Sequence, residues 1–222
     1  MPIRPATRTR LTREESRALT RSRVLAAAGE VFAERGFHVA SLEDVADRAG
    51  YSIGAVYSNF RSKDELFLSI MTERLRDFED GFAAAFGETK PGGTRANAMS
   101  KAAIIDAELA SIERGQDAMP KGWWRLMNEF RSYAEKDPAI QARLEATQSR
   151  CRKILGDHIA RFASSVEIEL PMPPDEIAEI VSAAGDGLHA AYAQGRSSVR
   201  PGQAVRRIVA AIISAGKSSS PA

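Results

Sequence analysis

A chain of 222 residues, 44% of them hydrophobic, is long enough for two cores of unequal size, yet nowhere approaches the ~20 uninterrupted apolar residues of a membrane span. Its single cysteine, Cys151, excludes an internal disulfide, and the amino terminus lacks an apolar signal core, so the expectation is a soluble cytoplasmic protein with no membrane partner. The net charge of +2 is unevenly spread: seven arginines up to Arg23 against Glu14 and Glu15 give +5, so the rest of the chain sums to −3.

Residues 1–15 carry Pro2, Pro5 and no apolar period, which predicts a disordered basic arm. Such an arm either solvates the chain or lies along a narrow, strongly negative minor groove. From about Ser16 to Arg35, the residues Val24, Ala27, Ala28, Val31 and Phe32 form one apolar helical stripe, and Gly36 is placed to end it.

Residues 41–66 spell two short capped helices joined by a glycine turn. Ser41 caps the first, with Asp44 three residues on, and Leu42, Val45, Ala46 and Ala49 give it an apolar face. Gly50 supplies the corner, and Ser52 offers a hydroxyl to cap a second helix from about Ile53 to Asn59. On that helix Val56 and Phe60 face inward, leaving Ile53, Gly54, Ala55, Tyr57 and Asn59 on or near the outer surface. Small residues there let a backbone approach base pairs, and Tyr57 and Asn59 can donate to phosphates. Ser62 and the Lys63-Asp64-Glu65 triplet then open a longer connecting helix over residues 63–86, with Leu66, Phe67, Ile70, Met71, Leu75 and Phe78 on its apolar side.

These residues resemble the TetR family of transcriptional regulators. The likeness is carried by the run from Val31 to Phe37, then Val45-Ala46, Ala49-Gly50, Gly54, Val56-Tyr57, Asn59-Phe60 and Ser62 to Leu66; it is close over residues 16–75 and only general beyond them. It implies an all-α fold of about nine helices. A helix-turn-helix domain (16–62) and the connecting helix would precede an effector-binding and dimerisation domain (87–216), and 217–222 would be a disordered tail. It further implies a homodimer on a palindromic double-stranded DNA operator, with Ile53, Gly54 and Ala55 near bases, Ser41, Tyr57, Asn59 and Lys63 near phosphates, and Ser52 also among the DNA-binding residues. The sequence departs from the family at Tyr51, where a smaller apolar residue is usual. Ile53 and Ala55 lack the forked donors that read guanine, so base reading would lean on thymine methyls and DNA shape.

Beyond residue 86 the pattern stays helical, broken at Gly87 to Thr94, Gly115 to Gly122, Asp137-Pro138, Leu170 to Pro174 and Gly195 to Pro201. Successive stripes hold Ala98, Ala102, Ile105, Leu109 and Ile112; Trp123, Met127, Phe130 and Ala134; and Leu144, Cys151, Leu155, Phe162 and Val166. These stripes suit either a solid core or a pocket for a small-molecule effector. The candidate lining is Trp123, Trp124, Met127, Phe130, His158 and Phe162, with Asp106, Glu129 and His158 as its polar groups. A carboxylate from Asp106 or Glu129 facing the cavity would favour a cationic effector.

The last two helices present Ile177, Ile180, Val181, Ala184 and Leu188, then Val205, Ile208, Val209 and Ile212. They suit a four-helix interface between two subunits, the alternative being a monomer that uses them as its own core. Regulation would then work by an effector changing the spacing of two recognition helices held ~34 Å apart.

An enzymatic alternative would pair Cys151 with His158, but side chains two helical turns apart lie ~10 Å from each other, too far for proton transfer. His38, His158 and His189 lack paired metal-ligand spacing, and no phosphate-cradling glycine motif is present, so no cofactor or metal is expected. A helical scaffold that binds only protein would leave the arginine surplus and the hairpin unexplained.

Overall fold

The computed structural model describes residues 12–89, 100–118 and 122–217, with side chains throughout except in 77–89 and 217. Among the described residues there are nine α-helices and no strand, as the all-α expectation requires. The chain divides into two compact units, Met1–Ile70 and Met71–Ala222.

In the first unit, α1 spans Arg13–Val39 and opens on a capping box, with Glu15 N donating to Thr12 Oγ1 at 3.1 Å and Thr12 N to Glu15 Oε2 at 2.7 Å. The helix therefore begins before the expected Ser16, and what is left of the expected arm, 1–11, lies outside the described residues. Gly36, at φ 80° and ψ 168°, breaks α1 and lets Phe37 turn inward. Then come α2 (Leu42–Ala49) and α3 (Ile53–Tyr57), with Gly50 left-handed at φ 70° between them. The helix expected to reach Asn59 stops two residues sooner. Ser58 Oγ and Asn59 Nδ2 both donate to the Ala55 carbonyl, at 2.8 and 2.9 Å, and so divert it from continuing the helix. Ser62 caps α4 (Lys63–Thr89) through Glu65 N. The core between these helices centres on Phe32, Phe37 and Phe67, all fully buried, with ring centroids 5.5 to 5.8 Å apart.

The second unit holds α5 (Lys101–Asp117), α6 (Trp123–Ala134), α7 (Pro138–Ser165), α8 (Pro174–Ala193) and α9 (Pro201–Lys217). Ser100 caps α5 and Asp137 caps α7. Prolines stand first in α7, α8 and α9, where the missing N–H has no helical partner to lose. Helix α5 packs on α9, and α7 on α8. A methyl at Gly202 would collide with the Glu113 carbonyl, and one at Gly156 with the Asp175 side chain, so the absence of side chains sets both close approaches. Across α5 and α9, Arg206 reaches Asp106 at 2.6 Å and Glu113 at 3.1 Å, while Arg200 reaches Asp117 at 3.3 Å. Among the described residues no helix is long and apolar enough to cross a membrane.

Candidate nucleic-acid interface and effector cavity

Helix ends leave carbonyls without intrahelical partners, and cations from distant positions satisfy them in the first unit. Arg21 donates to the Asn59 carbonyl at 3.1 Å and to Ser69 Oγ at 3.2 Å, with its guanidinium 4.3 Å over the Phe60 ring. Arg17 reaches the Ser58 carbonyl at 3.3 Å. The α1 arginines counted as charge for DNA therefore also hold the end of α3. Tyr51, the departure from the family pattern, places its hydroxyl 3.5 Å from Arg23. Bonds from Thr20 and Arg23 hold its phenol below the usual value.

The outer face of α3 is open, with Gly54 and Tyr57 exposed and Ile53 and Ala55 half-buried. Val56 and Phe60 are fully buried beneath it. Ser52 caps α3 by accepting from Ala55 N at 3.3 Å. Ser41 accepts from Asp44 N at 3.1 Å while its own N–H donates to Asp44 Oδ2 at 3.0 Å. Each hydroxyl keeps its own proton to donate outward. Asn59 is half-buried, and its amide is spent on the Ala55 carbonyl and on Ser58 Oγ.

A shallow cleft brings Ser41, Tyr57 and Lys63 together with Arg61. Here the expectation for Lys63 is corrected. Its Nζ donates to the carbonyls of Phe37 at 2.7 Å, Ala40 at 3.0 Å and His38 at 3.3 Å, and lies 4.7 Å over the Phe37 ring. All three ammonium donors close the end of α1, so none is left for phosphate in this arrangement. Burial pushes this ammonium below its ordinary value. Arg61, exposed in the same cleft, is a cation that the sequence reading passed over, and only its position beside Ser62-Lys63 would have flagged it.

In the second unit a cavity of about 300 Å³ lies between α5, α7, α8 and α9. His158 and Phe162 line it, as do Leu155, Ile177, Val181, Val205, Val209 and Ile212. The remaining expectations for its wall need correction. Asp106 is exposed and paired with Arg206, and Glu129 lies 3.8 Å from Arg125 on its own helix. Neither lines the cavity, so neither supplies the carboxylate that would favour a cationic effector there. Trp123, Met127 and Phe130 are buried but belong to α6, which contributes nothing to this wall. Trp123 packs under the Arg74 guanidinium at 4.4 Å, and Phe130 neighbours Tyr133. Trp124 stacks on His189 instead, with centroids 4.3 Å apart.

The polar lining residues missed by sequence reading are Glu108, Ser111 and Gln116. Glu108, 5% exposed, places Oε1 2.6 Å from Nε2 of His158, itself 3% exposed. Gln116 Oε1 pairs with His189 Nε2 at 2.8 Å. Fifty residues separate Glu108 from His158, so no local spacing signals the pair. Cys151 is half-buried and does not line the cavity, so the nucleophile-and-base arrangement weighed with His158 is not assembled there. Among the described residues no cluster of three metal-ligating side chains occurs.

The apolar residues of the last two helices divide between the subunit's core and its surface. Ile177, Val181 and Val205 are buried in the subunit's own core, with Leu188, Val209 and Ile212 packed against them, because this face closes the cavity. Ile177, Val181 and Val205 thus serve the subunit's own core, while Leu188, Val209 and Ile212 stay partly exposed. Ile180 remains exposed, and Ala184 and Ile208 are half-exposed.

Residues 24–70 match the family model described as bacterial regulatory proteins of the tetR family, and residues 102–215 match that of the BetI-type transcriptional repressor, C-terminal. The chain belongs to the TetR family, a family of DNA-binding transcriptional regulators. The transcriptional activator FasR of Mycolicibacterium smegmatis is 30% identical over 152 residues, covering 68% of this chain and 62% of the relative. The chain thus spans less than two thirds of that relative. A Mesorhizobium loti protein described as a TetR-family regulator shares the fold with a TM-score of 0.67 at 16% identity, covering 94% of this chain and 98% of that one. Bacillus subtilis FadR, solved in complex with stearoyl-CoA, shares it with a TM-score of 0.61 at 14% identity, covering 87% and 97%.

Proposed function

We propose that this TetR-family chain is a repressor that binds a palindromic DNA operator as a homodimer and releases it when a small molecule enters the α5–α9 cavity. The observation that carries the reading is the capped α2–α3 hairpin, whose outer face offers Ile53, Gly54 and Ala55 to bases beside the hydroxyls of Ser41, Ser52 and Tyr57. Arg61 takes the phosphate role that Lys63 gives up.

The cavity supports the effector half of the reading, being largely apolar with a few fixed polar groups. Twofold pairing uses the face of α8 and α9 left outside the core, where Ile180, Ala184 and Ile208 stand. For the switch to operate, the effector must bind the DNA-incompetent state better, by a coupling of typically ~1 to 3 kcal/mol.

Sequencing the genomic fragments retained by purified protein tests the DNA half. A shared palindrome is expected, with retention lost in Gly54→Glu and weakened in Arg61→Ala; indifference to every fragment even at low salt would end the reading. Light scattering of Ile180→Arg with Ile208→Arg tests pairing, the expected outcome being a dimer that becomes a monomer. A reporter placed behind the retained fragment gives the sign, with deletion of the regulator raising expression if it represses.

A further inference from the structure

We propose that the cavity is built for a neutral, elongated aliphatic alcohol or ketone, its single oxygen hydrogen-bonded at the Glu108–His158 pair. This rests on reading the cavity as the effector site and goes on to name the effector's chemical class.

Shape comes first. Glu108, Ser111, Ile112, Gly115 and Gln116 all line the cavity and recur every three or four residues, so one face of α5 forms a wall. The eight steps from Glu108 to Gln116, at ~1.5 Å each, make that wall about 12 Å long. A volume of about 300 Å³ along it suits a slender molecule and is at the small end of the usual ~300–1,000 Å³ of ligand pockets.

Charge narrows the class. Four of the eighteen described lining residues, Glu108, Ser111, Gln116 and His158, have polar side chains; Gly115 has none, and the others are aliphatic or phenyl. Glu108 and His158 are the titratable ones among them, each more than nine-tenths buried and bonded to the other at 2.6 Å.

A ligand carboxylate at that end would meet the oxygens of Glu108 with no lysine or arginine among the described lining residues to compensate. A ligand ammonium would meet a carboxylate already committed to His158. A hydroxyl or carbonyl adds no charge and completes hydrogen bonds at the pair, while its chain covers Ile112, Leu155, Val205 and Val209.

The test titrates the full chain by calorimetry with 1-decanol, 2-decanone, decanoate and decyltrimethylammonium at pH 7. The two neutral compounds should bind tighter than either ion by about tenfold or more. Val209→Phe, which fills the cavity and leaves the pair intact, should abolish their binding. Glu108→Gln, which keeps a hydrogen-bonding group, should retain part of it, and Glu108→Leu should lose it.

Decanoate or decyltrimethylammonium binding as well as decanol would overturn the proposal, as would decanol binding unchanged by Val209→Phe. Fluorescence anisotropy of a retained DNA fragment, read in parallel, separates the two readings. Decanol bound without DNA release supports the ligand class and refutes the switch, whereas DNA retained with no decanol bound refutes the ligand class alone.

Discussion

Phe32, Phe37 and Phe67 in the first unit are fully buried with their rings in mutual contact, whereas four helices of the second unit enclose about 300 Å³ behind residues of the same apolar kind. In the first unit tight packing holds the α2–α3 hairpin in one shape, as reading a groove demands. The second unit forgoes some packing and keeps an open space with a polar pair buried in its wall, which is the space that the proposed effector would fill.

Truncations in the two units test this contrast most strongly. Phe32→Ala should cost ~3–5 kcal/mol and abolish DNA retention, while Leu155→Ala, already facing open space, should cost only about 1–2 kcal/mol in urea unfolding. Equal losses would erase the distinction. Enlargement should run the other way: Val31→Phe should cost ~1–3 kcal/mol by overpacking, whereas Val209→Phe should change stability by less than about 1 kcal/mol. Next in size, Ser41→Ala should lower the stability of the first unit by ~1 kcal/mol through loss of the α2 cap.

The smallest expected effect is a difference in acid sensitivity. Desolvation pushes the His189 imidazole below 6.5, against the opposing pull of Asp186 and Asp117. The unfolded chain then binds the proton more readily, so the stability of the second unit should fall as pH drops through 6.5 toward the folded value. In the first unit, bonds from the Ser41 backbone hold the Asp44 carboxyl below 3.8. Its contribution is present above 3.8 and disappears only as pH falls through the lower folded value. Between pH 7 and 5, thermal unfolding should weaken the second unit alone, and His189→Gln should remove that slope.

How much of each unit was legible in the sequence follows from the range of its interactions. Caps at Ser41 and Ser52 and the corner at Gly50 act within a few residues, so the hairpin could be read from the chain. Lys63 misled because a cation beside a hairpin looks the same in sequence whether it faces phosphate or a carbonyl 26 residues upstream. In the second unit helix boundaries were readable from Pro138, Pro174 and Pro201. Which stripe faced the cavity was not, since every helix there is amphipathic and the choice depends on pairing between distant segments. His158 could be named from the sequence, but its partner Glu108 only from three dimensions, since Asp106, two residues from Glu108, is as good a candidate until Arg206 claims it.

Three carbonyls converging on Lys63 make position 63 selective for a particular cation. A tetrahedral ammonium can aim its hydrogens at three separated oxygens around one point. The planar fork of an arginine cannot, so a swap that conserves charge would still unfasten the turn ahead of α2. Nature's freedom to trade one basic side chain for the other ends at this knot.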